Sequence, residues 1–286
     1  MFPTLNSGAI GVQASTLQEA IDAARRGGFA GVEVRIPEVA ELIEREGVAH
    51  TRQRFTDAGV RPGAWSLGLN WRGDETAWRE ALAALPRLAS AAAGIGCPRA
   101  FQVIWSGDDE RPFAENWRFH VARLTPIAAI LAEHGCALGF EFLGPKTLRD
   151  TKRHPFVRAI GDTLELGAAI GPNVGLLLDC WHWYTAHGTL AEIEALRPAQ
   201  IVHVHINDAP TGIPIDQQID QVRALPGETG MIDIVGFLRA LQALGYDGPV
   251  TAEPFKAELR ELPDDNARLA TVRASIAEVF ARAGIA

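Results

Sequence analysis

Gly171-Pro-Asn-Val-Gly-Leu-Leu-Leu-Asp179 is the stretch that decides the fold: a Gly-Pro break, then residues apolar or small at every position, closed by an acid. A strand half exposed to water alternates apolar and polar residues, so an unbroken apolar run reads as a strand covered on both faces. The same unit recurs. Amphipathic segments close at Gly28, Gly59, Gly96, Gly135 and Gly245, and β-prone runs follow at 31–35, 60–65, 99–104, 137–142 and 249–252. Arg197-Pro198 takes the glycine's place before the run at 201–206. Glycine suits that position because helices commonly end on a left-handed residue. With 8–12 taken as the first strand, eight strands are expected.

The intervening segments carry the helical period. In 16–26, Leu17, Ala20, Ile21 and Ala24 share one face while Gln18, Glu19, Asp22 and Arg25 lie off it. Ser15 or Thr16 can cap this helix, with Glu19 at capping-box distance from Thr16. Segments 78–93, 117–133, 232–244 and 265–281 behave alike. Strict β/α alternation along the chain predicts an α/β protein, a single (β/α)8 TIM barrel over residues 1–286. An open doubly wound sheet would place a glycine-rich phosphate loop after the first strand. Gly11-Val-Gln-Ala-Ser15 is not one.

Composition narrows the function. The 286 residues are 47% hydrophobic, enough for a large core, and 27 Lys+Arg against 35 Asp+Glu leave a net charge of −8. That balance argues against nucleic acid as a partner, since phosphate neutralisation needs a basic face. No apolar run approaches the roughly 20 residues needed to span a bilayer, and Met1-Phe-Pro-Thr-Leu5 lacks the pattern of a secretory signal. Three cysteines (Cys97, Cys136 and Cys180) without metal-type spacing fit a reducing compartment. A cytoplasmic protein, free of membrane and nucleic-acid partners, is expected, with a homo-oligomer left open.

In such a barrel the chemistry sits at the carboxyl ends of the strands. Those ends read Gly139-Phe-Glu-Phe142, Leu176-Leu-Leu-Asp179, His203-Val-His-Ile-Asn-Asp208 and Val250-Thr-Ala-Glu253. Four consecutive strands thus deliver Glu141, Asp179, His205 and Glu253 to one rim. An acid closing a single strand is more often a helix cap, and Asp179 alone would be read so. Gathering three carboxylates is costly unless a cation neutralises them, which makes these four the candidate metal ligands. An oxygen-rich set with one imidazole favours one divalent ion, Mn²⁺ or Mg²⁺, with Co²⁺ or Zn²⁺ open. His203 shares the face of His205 by period-2 alternation and is read as a hydrogen-bonded structural histidine. Trp65, Trp105, Trp181 and Trp183 fall near strand ends, where an indole can pack on a sugar. Trp105 is the candidate substrate contact, although at least two of the four are expected merely to anchor loops.

These residues carry a resemblance. Gly139-Phe-Glu-Phe-Leu-Gly144, Gly175-Leu-Leu-Leu-Asp-Cys-Trp-His182, the His203–Asp208 run, Arg223-Ala-Leu-Pro-Gly-Glu228 and Gly245-Tyr-Asp-Gly-Pro-Val-Thr-Ala-Glu253 stand in the order and spacing of one superfamily. From about residue 137 to 253 the chain resembles the xylose isomerase-like TIM-barrel sugar isomerases and epimerases, most of all inosose isomerase-like and ketose 3-epimerase-like members. The resemblance implies that Glu141, Asp179, His205 and Glu253 hold one divalent metal. It also implies that His182 and Arg223 contact substrate oxygens and that Glu33 lies near the substrate. The segment 226–230 departs from the family pattern by one extra residue.

A cation holding two oxygens of a hydroxy-ketone stabilises an enediolate, while two flanking glutamates remove and return the proton. Glu141 and Glu253 are assigned that catalytic role, on a ketose, inosose or keto-sugar substrate. Expulsion of a β-hydroxyl from the same enolate makes a dehydratase or lyase on a cyclic or oxidised sugar the alternative. A non-catalytic sugar-binding barrel and an AP-endonuclease-like enzyme are weaker rivals.

Overall fold

The computed structural model describes residues 1–285. Its barrel strands are β1 Phe2–Leu5, β2 Gly31–Val32, β3 in two pieces (Arg61–Pro62 and Trp65–Ser66), β4 Arg99–Ile104, β5 Ala137–Phe142, β6 Val174–Asp179, β7 Ile201–Ile206 and β8 Pro249–Ala252. Every neighbouring pair is parallel, and β8 returns to β1. The two pieces of β3 close the circle. The first pairs with β2 (Gly31↔Arg61) and the second with β4 (Trp65↔Ala100). Between them the Gly63 amide donates to Val32 O at 2.8 Å, and that of Val34 to Ala64 O at 3.0 Å. The sheet therefore has no free edge, which removes the unpaired amide row an open sheet exposes.

The expected first strand at 8–12 is wrong. Those residues make a 3-10 turn, Gly8–Ile10, ended by Gly11 at φ 73°. The strand is Phe2–Leu5, in spite of Pro3, whose carbonyl accepts from the Ala30 amide at 3.0 Å. Pairing decides this: Phe2, Pro3 and Thr4 register with Pro249, Val250 and Thr251, and Thr4 and Leu5 with Gly31 and Val32. Leu5 and Thr4 are 1% exposed, while Gly8 lies in the open.

The helices form where the period placed them: Leu17–Arg26, Glu75–Ile95, Phe113–Glu133, Ile234–Ala243 and Asp265–Ala283. Thr16 and Glu19 complete the capping box on the first. Asp74 caps the second by accepting from the Ala77 amide at 2.9 Å. Among the described residues, no helix is long and apolar enough to cross a membrane.

Two glycines let the half of the barrel that carries β5 to β7 close. A Cβ on Gly139 would stand 2.9 Å from Leu177 N, and one on Gly175 2.6 Å from Gln200 O. Backbone cannot yield as a flexible side chain would, so Gly175→Ala is expected to destabilise the protein by ~2 kcal/mol or more. The shift in denaturant midpoint measures it; an unchanged midpoint would show that the β6–β7 gap has slack.

Candidate active site

Residues 139 and 141, 203 and 205, and 251 and 253 follow period 2 along their strands, so each pair shares a face. That face is the barrel interior, because contacts from it span strands that are not neighbours. Glu33, just past β2, meets His203 and His205 of β7, and Phe101 of β4 stacks on His203 with ring centroids 5.6 Å apart.

One ligand-type atom from each of Glu141, Asp179, His205 and Glu253 lies within 4.8 Å of the others. His205 Nδ1 stands 3.6 Å from Glu141 Oε1 and 3.4 Å from Glu253 Oε2. Glu141, Asp179 and His205 are 5%, 0% and 1% exposed, while the Glu253 side chain keeps 16%. Glu141 Oε1 and both ring nitrogens of His205 are buried without a hydrogen-bond partner. Buried polar atoms are rarely left so. Glu141 Oε1 and His205 Nδ1, facing each other at 3.6 Å from two strands with two further carboxylates beside them, fit a divalent cation.

The local electrostatics reflect the crowding. Burial, reinforced by the charge of Glu253, pushes the Glu141 carboxyl up, against the opposing pull of His205. Burial would lower His205, yet Glu253, Glu141 and Glu33 outweigh it and raise the imidazole well above its ordinary value. At Asp179 burial is likewise outweighed, chiefly by the Arg223 guanidinium, and the carboxyl is held down.

Asp179 also caps the short helix Cys180–Thr185, accepting from the Trp181 amide at 2.8 Å. The carboxylate divides its oxygens: Oδ1 serves the helix, as the cap reading expects, and Oδ2 accepts from Arg223 Nη1 at 2.8 Å. Arg223 is 4% exposed, and its Nη2 lies 3.3 Å from His182 Nε2. His182 is 2% exposed, with Nε2 4.0 Å from both Glu141 Oε1 and Asp179 Oδ2. Both residues therefore stand beside the four-residue cluster.

Three neighbours escaped the sequence reading. Asp220 holds the Arg223 guanidinium at 2.8 Å. Asn207 donates to Asp179 Oδ1 at 3.2 Å and accepts from the Glu253 amide at 2.7 Å, tying β6, β7 and β8 together. Asp208 receives the amides of Thr229, Gly230 and Ile232 at 3.0, 2.8 and 3.0 Å, which anchors the longer loop at 226–230. Asn207 and Asp208 directly follow His205-Ile206, a polar continuation past the strand end that was visible. Asp220 had no such signal.

Glu33 reaches the cluster from the far side, touching His205 rather than the carboxylates. With Glu253, Asn6, Ser66 and Phe101 it lines a cleft of about 850 Å³. Trp105, 45% exposed, lines a separate cavity with Arg72, Asp108 and Lys152, so the structure does not bring it to that cleft. Trp65 and Trp181 are fully buried and Trp183 is 6% exposed. Trp65 donates to Cys97 O and Trp183 to Thr189 O, both anchoring loops.

A closed parallel barrel whose carboxyl rim gathers acids and imidazoles defines the class of TIM-barrel enzymes that do their chemistry on that face. Within the class, the chain belongs to the xylose isomerase-like TIM-barrel family, which it matches over residues 21–278. It is 24% identical over 280 residues to an inosose isomerase of Halalkalibacterium halodurans, covering 94% of this chain and 95% of that one. A 3-dehydroshikimate dehydratase of Pseudomonas aeruginosa is 34% identical over 92 residues, 32% of this chain but 14% of its own. Among solved structures, a xylose isomerase domain protein from Alicyclobacillus acidocaldarius superposes with TM-score 0.86 at 33% identity, covering 99% of each chain. An IolI protein with a bound zinc atom superposes with TM-score 0.79 at 21% identity, also covering 99% of each.

Proposed function

We propose that the protein is a metal-dependent sugar isomerase or epimerase that acts on a ketose, inosose or keto-sugar by proton transfer through an enediolate. The observation that carries this reading is the meeting of Glu141, Asp179, His205 and Glu253 within 4.8 Å, with Glu141 Oε1 and His205 Nδ1 buried and unpartnered. Those four residues would hold one divalent cation, of which Mn²⁺ and Mg²⁺ suit the oxygen-rich set and Zn²⁺ or Co²⁺ the imidazole. The cation supplies Lewis-acid polarisation of a substrate carbonyl. Glu253, the most exposed of the four and on the wall of the cleft, would take a proton from the carbon beside that carbonyl. Glu141, which approaches His205 Nδ1 from a separate strand, would return one. Arg223 and His182, both buried beside Asp179, are the residues that would contact substrate oxygens; the Arg223 donors serve Asp179, Asp220 and Glu253 in this structure. The full-length likeness to an inosose isomerase supports the substrate class.

The test is a screen of inososes, ketoses and 3-keto-sugars by NMR, with metal and with chelator. An isomer or epimer formed only with metal is the expected outcome. The partial dehydratase likeness gives a second reading, since the same enolate can expel a β-hydroxyl. Water-loss products in place of isomers would move the assignment there, and inertness toward every keto-sugar would end both.

A further inference from the structure

We propose that Glu33 is the positioning residue for His205, fixing which ring nitrogen faces the cation site. This rests on His205 being a ligand, as proposed above. Glu33 Oε1 lies 2.9 Å from His203 Nε2 and 3.4 Å from His205 Nε2, while its Oε2 accepts from Asn6 Nδ2 at 2.9 Å. The His205 ring is used on both edges: Nε2 faces Glu33, and Nδ1 faces Glu141 and Glu253. An acceptor at Nε2 favours the tautomer with its proton there, which leaves the Nδ1 lone pair for a cation. An ionised carboxylate only accepts, so it takes the His203 Nε2 proton in a 2.9 Å hydrogen bond and, by its charge, favours a proton on the His205 Nε2 that faces it at 3.4 Å. Phe101 limits how the rings turn, stacking on His203 at 26° and meeting His205 edge-on with centroids 6.0 Å apart. Asn6 and Glu33 follow β1 and β2, so the half of the barrel that carries no candidate ligand sets the orientation of one on β7.

Glu33, His203 and His205 themselves offer three atoms within 4.8 Å. Thr251 Oγ1 also sits 3.4 Å from His203 Nε2, and among the described residues no fourth His, Cys or carboxylate joins them. The hydrogen bonds at His203 and the Glu33 charge facing His205 account for these contacts without a second ion.

The experiment titrates Mn²⁺ and Zn²⁺ into chelator-stripped full-length protein and into Glu33→Gln, with thermal unfolding of the metal-free forms alongside. A tenfold to hundredfold weaker metal affinity in the variant is expected, with one equivalent bound by the parent and unfolding of the metal-free forms little changed. Equal affinities would overturn the inference and leave His205 as a ligand. Two equivalents in the parent and one in the variant would make Glu33 a ligand and overturn it too. A parent that binds no metal defeats the functional reading, and this inference with it. Should Glu33→Gln not fold, ¹⁵N spectra of the zinc-loaded parent decide: a protonated His205 Nε2 with metal on Nδ1 supports the role, and metal on Nε2 refutes it.

Discussion

Turnover in D2O is expected to place solvent deuterium on the carbon that receives the proton, and Glu253→Gln is expected to lower kcat by about 10²- to 10⁴-fold. The two glutamates approach His205 Nδ1 from separate strands, Glu141 Oε1 at 3.6 Å and Glu253 Oε2 at 3.4 Å. On the proposed function, a substrate bound beside them would meet both carboxyls. Glu253 keeps 16% side-chain exposure and lines the cleft, whereas Glu141 is 5% exposed, with its carboxyl pushed up by burial. Glu253→Gln should therefore abolish exchange into unreacted substrate, and Glu141→Gln should chiefly slow delivery to product. Both are proposed ligands, so metal content must be measured in each variant before activity is read. Hydride transfer between carbons would keep the substrate's own hydrogen. Deuterium-free product, together with normal turnover by a metal-loaded Glu141→Gln, Glu253→Gln double variant, would sink the proton-transfer reading.

Removal of the cation is the second large effect. Prolonged chelation should abolish turnover, and restoring a divalent ion at about 100 times its Kd should stabilise the fold by about 2.7 kcal/mol. His205→Ala removes an atom aimed at two carboxylates and should weaken metal binding by about 100-fold or more. His182→Ala should change it much less, because His182 Nε2 stands 4.0 Å from Glu141 and Asp179, where Arg223 already neutralises Asp179. Equal retention of metal by both variants would separate His205 from the proposed ligand set. Affinity should also fall as pH drops, since the carboxylates and the imidazole bind metal only when deprotonated.

The barrel was legible because its strands advertise burial on both faces. The runs at 99–104, 137–142, 201–206 and 249–252 are strands with those bounds, and 174–178 gains only Asp179. The first strand was not, because Phe2-Pro-Thr-Leu5 carries a proline and is too short for its pattern to outweigh it. Only pairing with β2 and β8 identifies it as a strand.

By itself the sequence determined which residues stand at the carboxyl ends of β5 to β8, since strand period and strand end are local properties. Barrel topology then carries Glu141, Asp179, His205 and Glu253 to one rim. Tertiary structure alone decided what touches them from elsewhere. Glu33 reaches His205 across the barrel, Asp220 clamps Arg223 from a loop, and Asn207 joins Asp179 to the Glu253 amide. Trp105 shows the converse, a residue at a strand end whose indole faces a different cavity. Contacts across the interior and between loops depend on closure and on side-chain direction. No periodicity along the chain encodes either one.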